Sequence, residues 1–299
     1  MSDMKTILVA GRSGQVAQAL AEQGPSHGVK IVCMGRPGLD ITDPGSIAQA
    51  IAKVRPDCLI NAAAYTAVDL AETETGEAFR VNAEAAGHLA SAAAEAGLPI
   101  LHLSTDYVFD GTKASPYIET DPVNPSGVYG ASKLQGERAV AEANTNHLIA
   151  RTAWVYSPFG KNFIKTMLRL AGTHEKVRVV ADQIGNPTSA FDIADALLNI
   201  VSQIGPDNRL PTPGLFHLSG TGEASWADFA EFIFEASAAA GGPAVPVERI
   251  TTAEFPTPAS RPANSRLDCS KLAKTYAITL PDWRSSAGPC IRRIVETKD

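Results

Sequence analysis

The stretch Ile7-Leu8-Val9-Ala10-Gly11-Arg12-Ser13-Gly14-Gln15-Val16-Ala17 joins an apolar run to a glycine-rich turn and the start of a helix. Such a turn, directly after a strand, lets backbone amides approach a pyrophosphate at the helix N-terminus. The spacing is Gly-x-x-Gly-x-x-Ala instead of Gly-x-Gly-x-x-Gly, and Ala17 supplies the small third residue. A tight connection without a ligand is the plainer interpretation. The position after the first strand favours a cofactor site that includes Gly11 and Ser13.

Short apolar runs alternate with helical segments from this turn to Tyr156. Strands are expected at residues 5–10, 29–34, 58–61, 99–105 and 147–156. Helices are expected from about residue 14 and at residues 44–54, 72–97 and 129–143. This alternation predicts an α/β fold with a parallel sheet, right-handed crossovers and helices on both faces.

The pattern changes after Tyr156, where proline and glycine become frequent. Helices are expected at residues 162–171 and 225–239, and a strand at 177–180. We therefore predict a first domain over residues 1–156. Residues 157–299 are predicted to form mainly a smaller, irregular lobe, with segments that return to the first domain.

The composition is that of an ordinary globular protein, with 299 residues, 44% hydrophobic and 19% charged. The net charge of −6 argues against nucleic-acid or anionic-membrane partners, which would require a basic face. No run approaches the roughly eighteen apolar residues of a membrane span. The first residues lack the pattern of a signal peptide, so the cytoplasm is the expected compartment.

The end of the second predicted strand, Cys33-Met34-Gly35-Arg36, indicates which dinucleotide is preferred. An acidic residue at this point would receive the ribose 2′-hydroxyl and repel a 2′-phosphate. Arg36 can instead pair with that phosphate, which predicts NADPH, with NADH as the alternative cofactor. A solvated arginine in a turn is the plainer interpretation. Asp40 and Ile41 are placed where adenine could be read, although Asp43 could equally be a helix N-cap.

The end of the third strand, Asn61-Ala62-Ala63-Ala64-Tyr65-Thr66, is rich in small residues. Small side chains let the backbone pass close to a flat cofactor in the crevice that such sheets use for ligands. The alternative is a strand end that needs small residues because a helix covers it. We include Ala62 among the predicted cofactor-binding residues.

Tyr129 and Lys133, in Val-Tyr-Gly-Ala-Ser-Lys, lie four residues apart and so on one face of a helix. A free tyrosine has a pKa of about 10, and a nearby cation favours its phenolate and lowers that pKa. This spacing alone is common in exposed helices. However, Ser104 and Thr105 follow a buried strand about two dozen residues earlier, and together these residues form a hydroxyl–Tyr–Lys set suited to proton transfer.

With the glycine turn, this set resembles the extended short-chain dehydrogenase/reductase family, whose fold is a Rossmann-type doubly wound sheet with a smaller α/β substrate lobe. Within it, the chain resembles the dTDP-4-dehydrorhamnose reductases. The blocks that carry the likeness run in order along nearly the whole chain: Gly-Gln-Val, Asn-Ala-Ala-Ala-Tyr-Thr-Ala-Val-Asp, Ser-Thr-Asp-Tyr-Val-Phe-Asp-Gly, Tyr-Gly-x-Ser-Lys-x-x-Gly-Glu, Arg-Thr-Ala-Trp-Val-Tyr, Asp-Gln-x-Gly-x-Pro-Thr, Phe-His-Leu-Ser-Gly and Arg-Pro-x-Asn-Ser-Arg-Leu-Asp.

The resemblance implies an oxidoreductase that reduces the C4 ketone of dTDP-4-dehydro-β-L-rhamnose with NADPH. This is the last step of dTDP-rhamnose biosynthesis for cell-surface polysaccharide. It implies that Tyr129 donates the proton, that Lys133 lowers its pKa and binds the nicotinamide ribose, and that Thr105 binds the reacting oxygen. The remaining implied contacts are with the hexose (Asp106, Tyr107 and Trp154) and with the cofactor (Gly14, Gln15, Val16, Ala63, Ala64 and Thr66).

Some members of this family hold magnesium between subunits through acidic side chains. Gln15 and the Phe191-Asp192 pair form no obvious carboxylate cluster, so we predict no metal, and a homodimer stays open. Arg261 could approach a pyrophosphate or form an ion pair between the lobes.

Two other functions remain open at this stage. Another nucleotide-sugar epimerase or reductase of the same family is compatible with the motifs, whereas a dehydratase would usually carry Glu where Tyr107 stands. A non-catalytic regulatory subunit with the same fold is the second alternative. The intact Thr105, Tyr129 and Lys133 set favours catalysis, since a scaffold has no chemical need for it.

Overall fold

The computed structural model describes residues 4–297, which form an α/β fold. Its strands, in chain order, are β1 (Thr6–Ala10), β2 (Lys30–Met34), β3 (Cys58–Asn61), β4 (Ile100–Thr105), β5 (His147–Thr152), β6 (Val155–Tyr156), β7 (Val177–Val180), β8 (Ile184–Gly185), β9 (Thr188–Ser189), β10 (Gly214–His217), β11 (Ala224–Ser225) and β12 (Val247–Ile250). Its α-helices are α1 (Gln15–Gln23), α2 (Pro44–Val54), α3 (Val68–Ala71), α4 (Thr75–Phe79), α5 (Ala85–Glu95), α6 (Val128–Ala143), α7 (Phe163–Ala171), α8 (Ala190–Ser202), α9 (Trp226–Ala239), α10 (Ser270–Tyr276) and α11 (Trp283–Glu296).

A six-stranded parallel sheet lies at the centre, in the order β10-β5-β4-β3-β1-β2. The chain enters the sheet at β1, adds the edge strand β2 on one side, and continues through β3, β4, β5 and β10 on the other. The carboxyl ends of β1 and β4 therefore lie at the same edge, on either side of β3, and this edge is where such sheets place their ligands.

Helices cover both faces of the sheet. Ile7 and Val9 of β1 pack in a core with α1 and α8. Leu8 and Ala10 point to the other face, where they pack with α2 and α5. Because β1 is buried on both faces, its sequence is continuously apolar and does not alternate. This arrangement confirms the predicted doubly wound α/β fold.

The second half of the chain builds a separate core around Phe229 and Trp283, between α7, α9 and α11. Strands β7 and β12 pair beside it in parallel. The same half also supplies α8 and β10 to the main sheet and its cover. The division of domains at residue 156 stays a prediction.

Two predicted elements are interrupted. The helix expected over residues 72–97 is broken into α4, a π-helical turn at Arg80–Glu84 and α5. The strand expected over residues 147–156 ends at Thr152 and resumes at Val155, because Trp154 has a positive φ of 46°. Among the described residues, no helix is both long and apolar enough to cross a bilayer.

Candidate active site

The turn after β1 brings the backbone of two strands unusually close. Gly11 has a φ of 122°, and a Cβ there would lie 3.3 Å from the carbonyl carbon and oxygen of Ala62 at the end of β3. Gly14 is the N-cap of α1 and offers no side-chain cap, and the first turn contains no acidic residue. The first N–H groups of α1 therefore remain available to an anion such as a pyrophosphate.

A cavity of about 420 Å³ opens beside this turn, at the carboxyl edge of the sheet. Most of the predicted cofactor-binding residues line it: Gly11, Ser13, Gly14, Arg36, Asp40, Ile41, Ala62, Ala63, Ala64 and Thr66. The lining also contains residues that we did not predict, namely Arg12, Met34, Gly35, Leu39, Thr42, Glu77, Arg80 and Val81. The uncapped helix and this cavity fit a dinucleotide.

Positive charge gathers at one end of the cavity. Arg12 and Arg36 are both exposed, and neither forms an ion pair within residues 4–297. Gly35 lies between them at the end of β2, where a Cβ would be 3.4 Å from the Cβ of Arg12. Asp40 accepts hydrogen bonds from the backbone and hydroxyl of Thr42, which lower its pKa. Asp43 caps α2, which confirms that alternative.

Four residues that we also predicted to bind the cofactor lie outside this lining, namely Gln15, Val16, Tyr129 and Lys133. The Gln15 side chain donates to the carbonyl of Val155 at 3.2 Å and accepts from Ser157 at 2.7 Å and Asn162 at 2.9 Å. It thus ties α1 to the segment after β6, a long-range contact that the glycine pattern could not reveal. Val16 is buried against the sheet.

The segment after β3 is held by two asparagines that sequence reasoning missed. The Asn61 Oδ1 accepts from the backbone N–H of Ala63 at 3.1 Å. Asn82, in the π-helical turn, accepts from the Tyr65 N–H at 2.8 Å and donates to Ser132 of α6 at 3.0 Å. The π turn therefore connects the cofactor-side loop to the helix that carries Tyr129, as π turns at functional sites often do.

Thr105 and Tyr129 meet at the end of β4. Loss of water around the phenol raises the pKa of Tyr129 to about 12, and the nearby Thr105 hydroxyl acts in the opposite direction and lowers it. The ring of Tyr129 also stands edge-on to that of Tyr107, with centroids 5.6 Å apart. The structure thus brings together the predicted hydroxyl and phenol.

Lys133 lies one turn after Tyr129 on α6, but its amino group points to β4. Its Nζ donates to the carbonyl oxygen of Leu103 at 2.7 Å and lies 3.5 Å from the Nε2 of His102. Burial lowers the pKa of Lys133 to about 8, against the opposing charge of Glu137. In the chain by itself, burial decides the direction of the Tyr129 pKa shift, and the lowering of that pKa by Lys133 stays a prediction.

Asp106 and Tyr107 form a short 3-10 helix directly after Thr105. Asp106 is 2% exposed, and burial raises the pKa of its carboxyl to about 6. Its Oδ1 accepts from the Thr105 hydroxyl at 3.0 Å, whereas its Oδ2 has no partner within the described chain. An unpartnered buried acceptor is unusual and suits a site that binds a polyhydroxylated ligand.

Trp154 occupies the gap between β5 and β6 and stacks on Trp226 of α9, with ring centroids 3.4 Å apart. Gly185 lies against it, since a Cβ there would be 2.5 Å from the indole. A second cavity of about 340 Å³, lined by Trp226, Phe163 and Arg261 among others, opens on the lobe side. The structure therefore places Trp154 between the sheet and the second lobe.

Two glycines of α6 let this helix approach its neighbours closely. A Cβ on Gly130 would lie 2.1 Å from the carbonyl oxygen of Tyr107, and one on Gly136 would lie 2.0 Å from that of Asn82. The Tyr-Gly-x-Ser-Lys-x-x-Gly block contains both glycines, so the sequence shows where they lie. It does not show that they are needed for close packing of α6 against its neighbours.

Arg261 forms a two-pronged ion pair with Asp69, at 3.1 and 2.9 Å. This pair links the segment after β3 to the second lobe, as one of the two sequence interpretations expected. No group of three or more His, Cys, Asp or Glu side chains that could hold a metal is found in residues 4–297.

Comparisons with known proteins agree with this geometry. The family model described as the RmlD substrate binding domain matches residues 4–296. A dTDP-4-dehydrorhamnose reductase of Sinorhizobium fredii is 50% identical over 289 residues, which cover 97% of this chain and 96% of that protein. The reductase of Escherichia coli K12 is 41% identical over 284 residues, which cover 93% and 94% of the two chains.

Solved structures give the same result. The crystal structure of dTDP-4-dehydrorhamnose reductase from Bacillus anthracis in complex with NADP has a TM-score of 0.89 at 33% identity, and the match covers 97% of this chain and 99% of that one. The Clostridium acetobutylicum structure has a TM-score of 0.89 at 38% identity, with the same coverage. The chain belongs to the dTDP-4-dehydrorhamnose reductase family.

Proposed function

We propose that this protein reduces the C4 ketone of dTDP-4-dehydro-β-L-rhamnose to give dTDP-β-L-rhamnose, a precursor for cell-surface polysaccharide. The observation that carries the proposal is that the Thr105 hydroxyl and the Tyr129 phenol lie together at the carboxyl edge of the sheet, near enough for the hydroxyl to lower the pKa of the phenol. The neighbouring strand end, Ala62–Ala64, lines the dinucleotide-sized cavity. Family membership supplies the substrate class.

NADPH is the cofactor that this cavity supports. Arg12 and Arg36 offer two unpaired guanidinium groups to a 2′-phosphate. Gly35, at the end of β2, has no acidic side chain that would repel this phosphate. The first turn of α1 would hold the pyrophosphate. When bound, NADPH supplies the hydride for the ketone carbon. A relative with NADP bound has the same fold over nearly its whole length.

Tyr129 is the proton donor in this scheme. Because its pKa is raised to about 12, the phenol keeps its proton at neutral pH and can transfer it to the oxygen that becomes an alkoxide. The Thr105 hydroxyl, which lies beside the phenol, would bind the same oxygen and stabilise its developing charge.

Lys133 supports this transfer through its charge. Its ammonium form predominates below its pKa of about 8 and favours the phenolate that remains after the proton has left. Its second assigned partner is the nicotinamide ribose. Leu103 keeps the amino group close to β4 through the 2.7 Å hydrogen bond.

Asp106, Tyr107 and Trp154 are assigned to the hexose. The free Oδ2 of Asp106 can accept a hydrogen bond from a sugar hydroxyl, and the indole supplies a flat apolar surface. The ion pair of Arg261 with Asp69 leaves this arginine engaged, so its approach to a pyrophosphate would require it to exchange partners. A homodimer and a cytoplasmic location stay predictions.

The test is oxidation of NADPH by the purified chain, with dTDP-4-dehydrorhamnose generated in situ by the preceding enzymes. We expect one equivalent of dTDP-β-L-rhamnose, identified by NMR, for each NADPH consumed. Tightly bound NAD that co-purifies, with sugar isomerised but no NADPH oxidised, would show an epimerase instead. Cofactor binding without any turnover would support a regulatory protein.

A further inference from the structure

His102 is a buried imidazole that the proposed reaction does not use. It lies on β4, three residues before Thr105, and is 1% exposed. Its Nδ1 lies 3.0 Å from the Asn61 Nδ2, and its Nε2 lies 3.5 Å from the Lys133 Nζ. Burial lowers the pKa of His102 well below its ordinary value, and the charge of Lys133 adds to this effect. The ring is therefore neutral and carries one proton.

The hydrogen bonds of Asn61 determine which ring nitrogen holds that proton. The Ala63 N–H donates to the Asn61 Oδ1 at 3.1 Å, so the amide oxygen faces Ala63 and the amide nitrogen faces His102. An amide nitrogen only donates. The His102 Nδ1 must therefore accept, and the proton of the neutral ring lies on Nε2.

The Nε2–H of His102 points at Lys133. An ammonium has no lone pair, so two donors would face each other at 3.5 Å, whereas a neutral amine can accept from the ring. The imidazole thus favours the uncharged lysine, in the same direction as burial. The carbonyl of Leu103 accepts from the lysine in either state.

Few other charges act on this pair. On α6, Glu137 favours the charged lysine, but Arg151 of β5 holds its carboxylate at 2.9 and 2.7 Å, and Ser104 of β4 donates to it at 2.5 Å. His147 of β5 acts weakly on His102. The remaining titratable groups near this end of β4 are Tyr129, Tyr107 and Asp106, on the far side of Thr105.

We propose that His102 is a positioning residue for the reduction, which turns its Nε2–H toward Lys133 and so aims the lysine's amino group and tunes how readily it stays charged. The inference rests on the proposed function, in which the charged lysine is the active form. A chain of contacts thus runs from the Ala63 amide at the cofactor cavity through Asn61 and His102 to Lys133.

Three substitutions separate the two contacts of the ring. His102→Phe keeps the ring shape and removes both contacts. His102→Asn can accept from Asn61 but does not reach Lys133. His102→Gln retains a donor near the Nε2 position and serves as the conservative control. The measurement is kcat for NADPH oxidation between pH 6 and 10, with the NADPH dissociation constant measured in parallel.

We expect the wild-type rate to fall with an apparent pKa near 8, as Lys133 loses its proton. In His102→Phe and His102→Asn the opposing donor is gone, so this alkaline limb moves upward by about one pH unit, while His102→Gln stays near the wild type. NADPH affinity should change less than about twofold, because the ring lies behind the lysine. A downward shift, or coincident profiles in all four proteins, would overturn the proposal.

The tautomer can be read directly without any turnover. Long-range proton–nitrogen spectra of the full chain, labelled with ¹⁵N-histidine, distinguish Nε2–H from Nδ1–H, and the His102 signals are those absent from His102→Gln. We expect a neutral Nε2–H ring from pH 6 to 9. An Nδ1–H ring, or an imidazolium at pH 6, would refute the inference even if the enzyme reduces its ketone as proposed. Conversely, loss of the proposed activity would leave this readout intact.

Discussion

Gly130→Ala tests how closely α6 must approach the end of β4. The new Cβ would lie 2.1 Å from the Tyr107 carbonyl oxygen and 3.0 Å from the Pro125 Cβ. An ordinary contact is about 3.5 Å, so the helix and the 3-10 turn must separate by roughly 1.4 Å. The clash is with backbone, which cannot rotate away as a flexible side chain can.

Tyr129 precedes Gly130, and Thr105 lies two residues before Tyr107, so this separation opens the catalytic contact. We expect a stability loss of about 1–3 kcal/mol from overpacking. Because a misplacement of about 1 Å at a reacting centre costs on the order of 10²-fold in rate, kcat should fall by about that factor.

The assay combines NADPH oxidation with urea unfolding. Gly76→Ala is the matched control, because Gly76 lies inside α4 and a Cβ there meets nothing within 4 Å. That variant should keep full activity and gain up to about 1 kcal/mol from helix propensity. If Gly130→Ala keeps the wild-type rate and stability, the close packing of α6 is not what aligns Tyr129.

Three further changes test separate parts of the account. Replacing Arg12 or Arg36 with Ala should raise the KM for NADPH about tenfold or more and leave that for NADH nearly unchanged, because a charge-assisted contact to the 2′-phosphate is lost; equal changes for both cofactors would contradict this. The pKa of Asp106 in the folded protein, about 6, exceeds its ordinary value of 3.8. The protein's free energy of unfolding should therefore fall as the pH rises from about 4 to 6, and it should stay at this lower value above pH 6. Asp106→Asn should abolish that dependence and be more stable at pH 7 by at most about 3 kcal/mol, measured by urea unfolding at several pH values; parallel pH curves would count against it. Glu137→Ala should cost about 3–5 kcal/mol, because it leaves Arg151 charged and buried, whereas the double change of Glu137 and Arg151 to Met should cost clearly less; equal losses in thermal unfolding would argue against the pair.

The sheet could be predicted because its strands are buried on both faces. The bounds of β3, β7 and α2 agree with prediction. The two strands are short, mostly apolar runs between turn residues. The helix α2 begins with the capping residue Asp43 followed by a proline. The glycine turn could also be predicted, because its position directly after β1 leaves few other conformations for this segment. Local patterns were sufficient where local interactions decide the conformation.

Contacts between distant segments could not be predicted. The π turn at Arg80–Glu84 depends on Asn82 binding Tyr65 and Ser132, and nothing in an alanine-rich helical pattern indicates this. The side-chain amide of Gln15 forms its hydrogen bonds with β6 and the segment that follows it, more than a hundred residues away. Trp154 breaks its strand so that it can stack on Trp226 of the second lobe.

The electrostatics of the site required the structure as well. The spacing of Tyr129 and Lys133 predicted a shared helix face, and both residues do lie on α6. It could not show that burial would raise the pKa of the phenol, or that Leu103 and His102 would receive the lysine. Depth of burial depends on the fold as a whole, so a five-residue motif carries no information about it.

The most direct test compares the wild type with Tyr129→Phe for NADPH oxidation coupled to dTDP-4-dehydrorhamnose. Phe keeps the ring and its packing against Tyr107 but has no proton to give. We predict a rate lower by about 10²–10⁴, with NADPH affinity within about twofold of the wild type. A Tyr129→Phe variant that forms dTDP-β-L-rhamnose at the wild-type rate would contradict the assignment of this tyrosine as the proton donor.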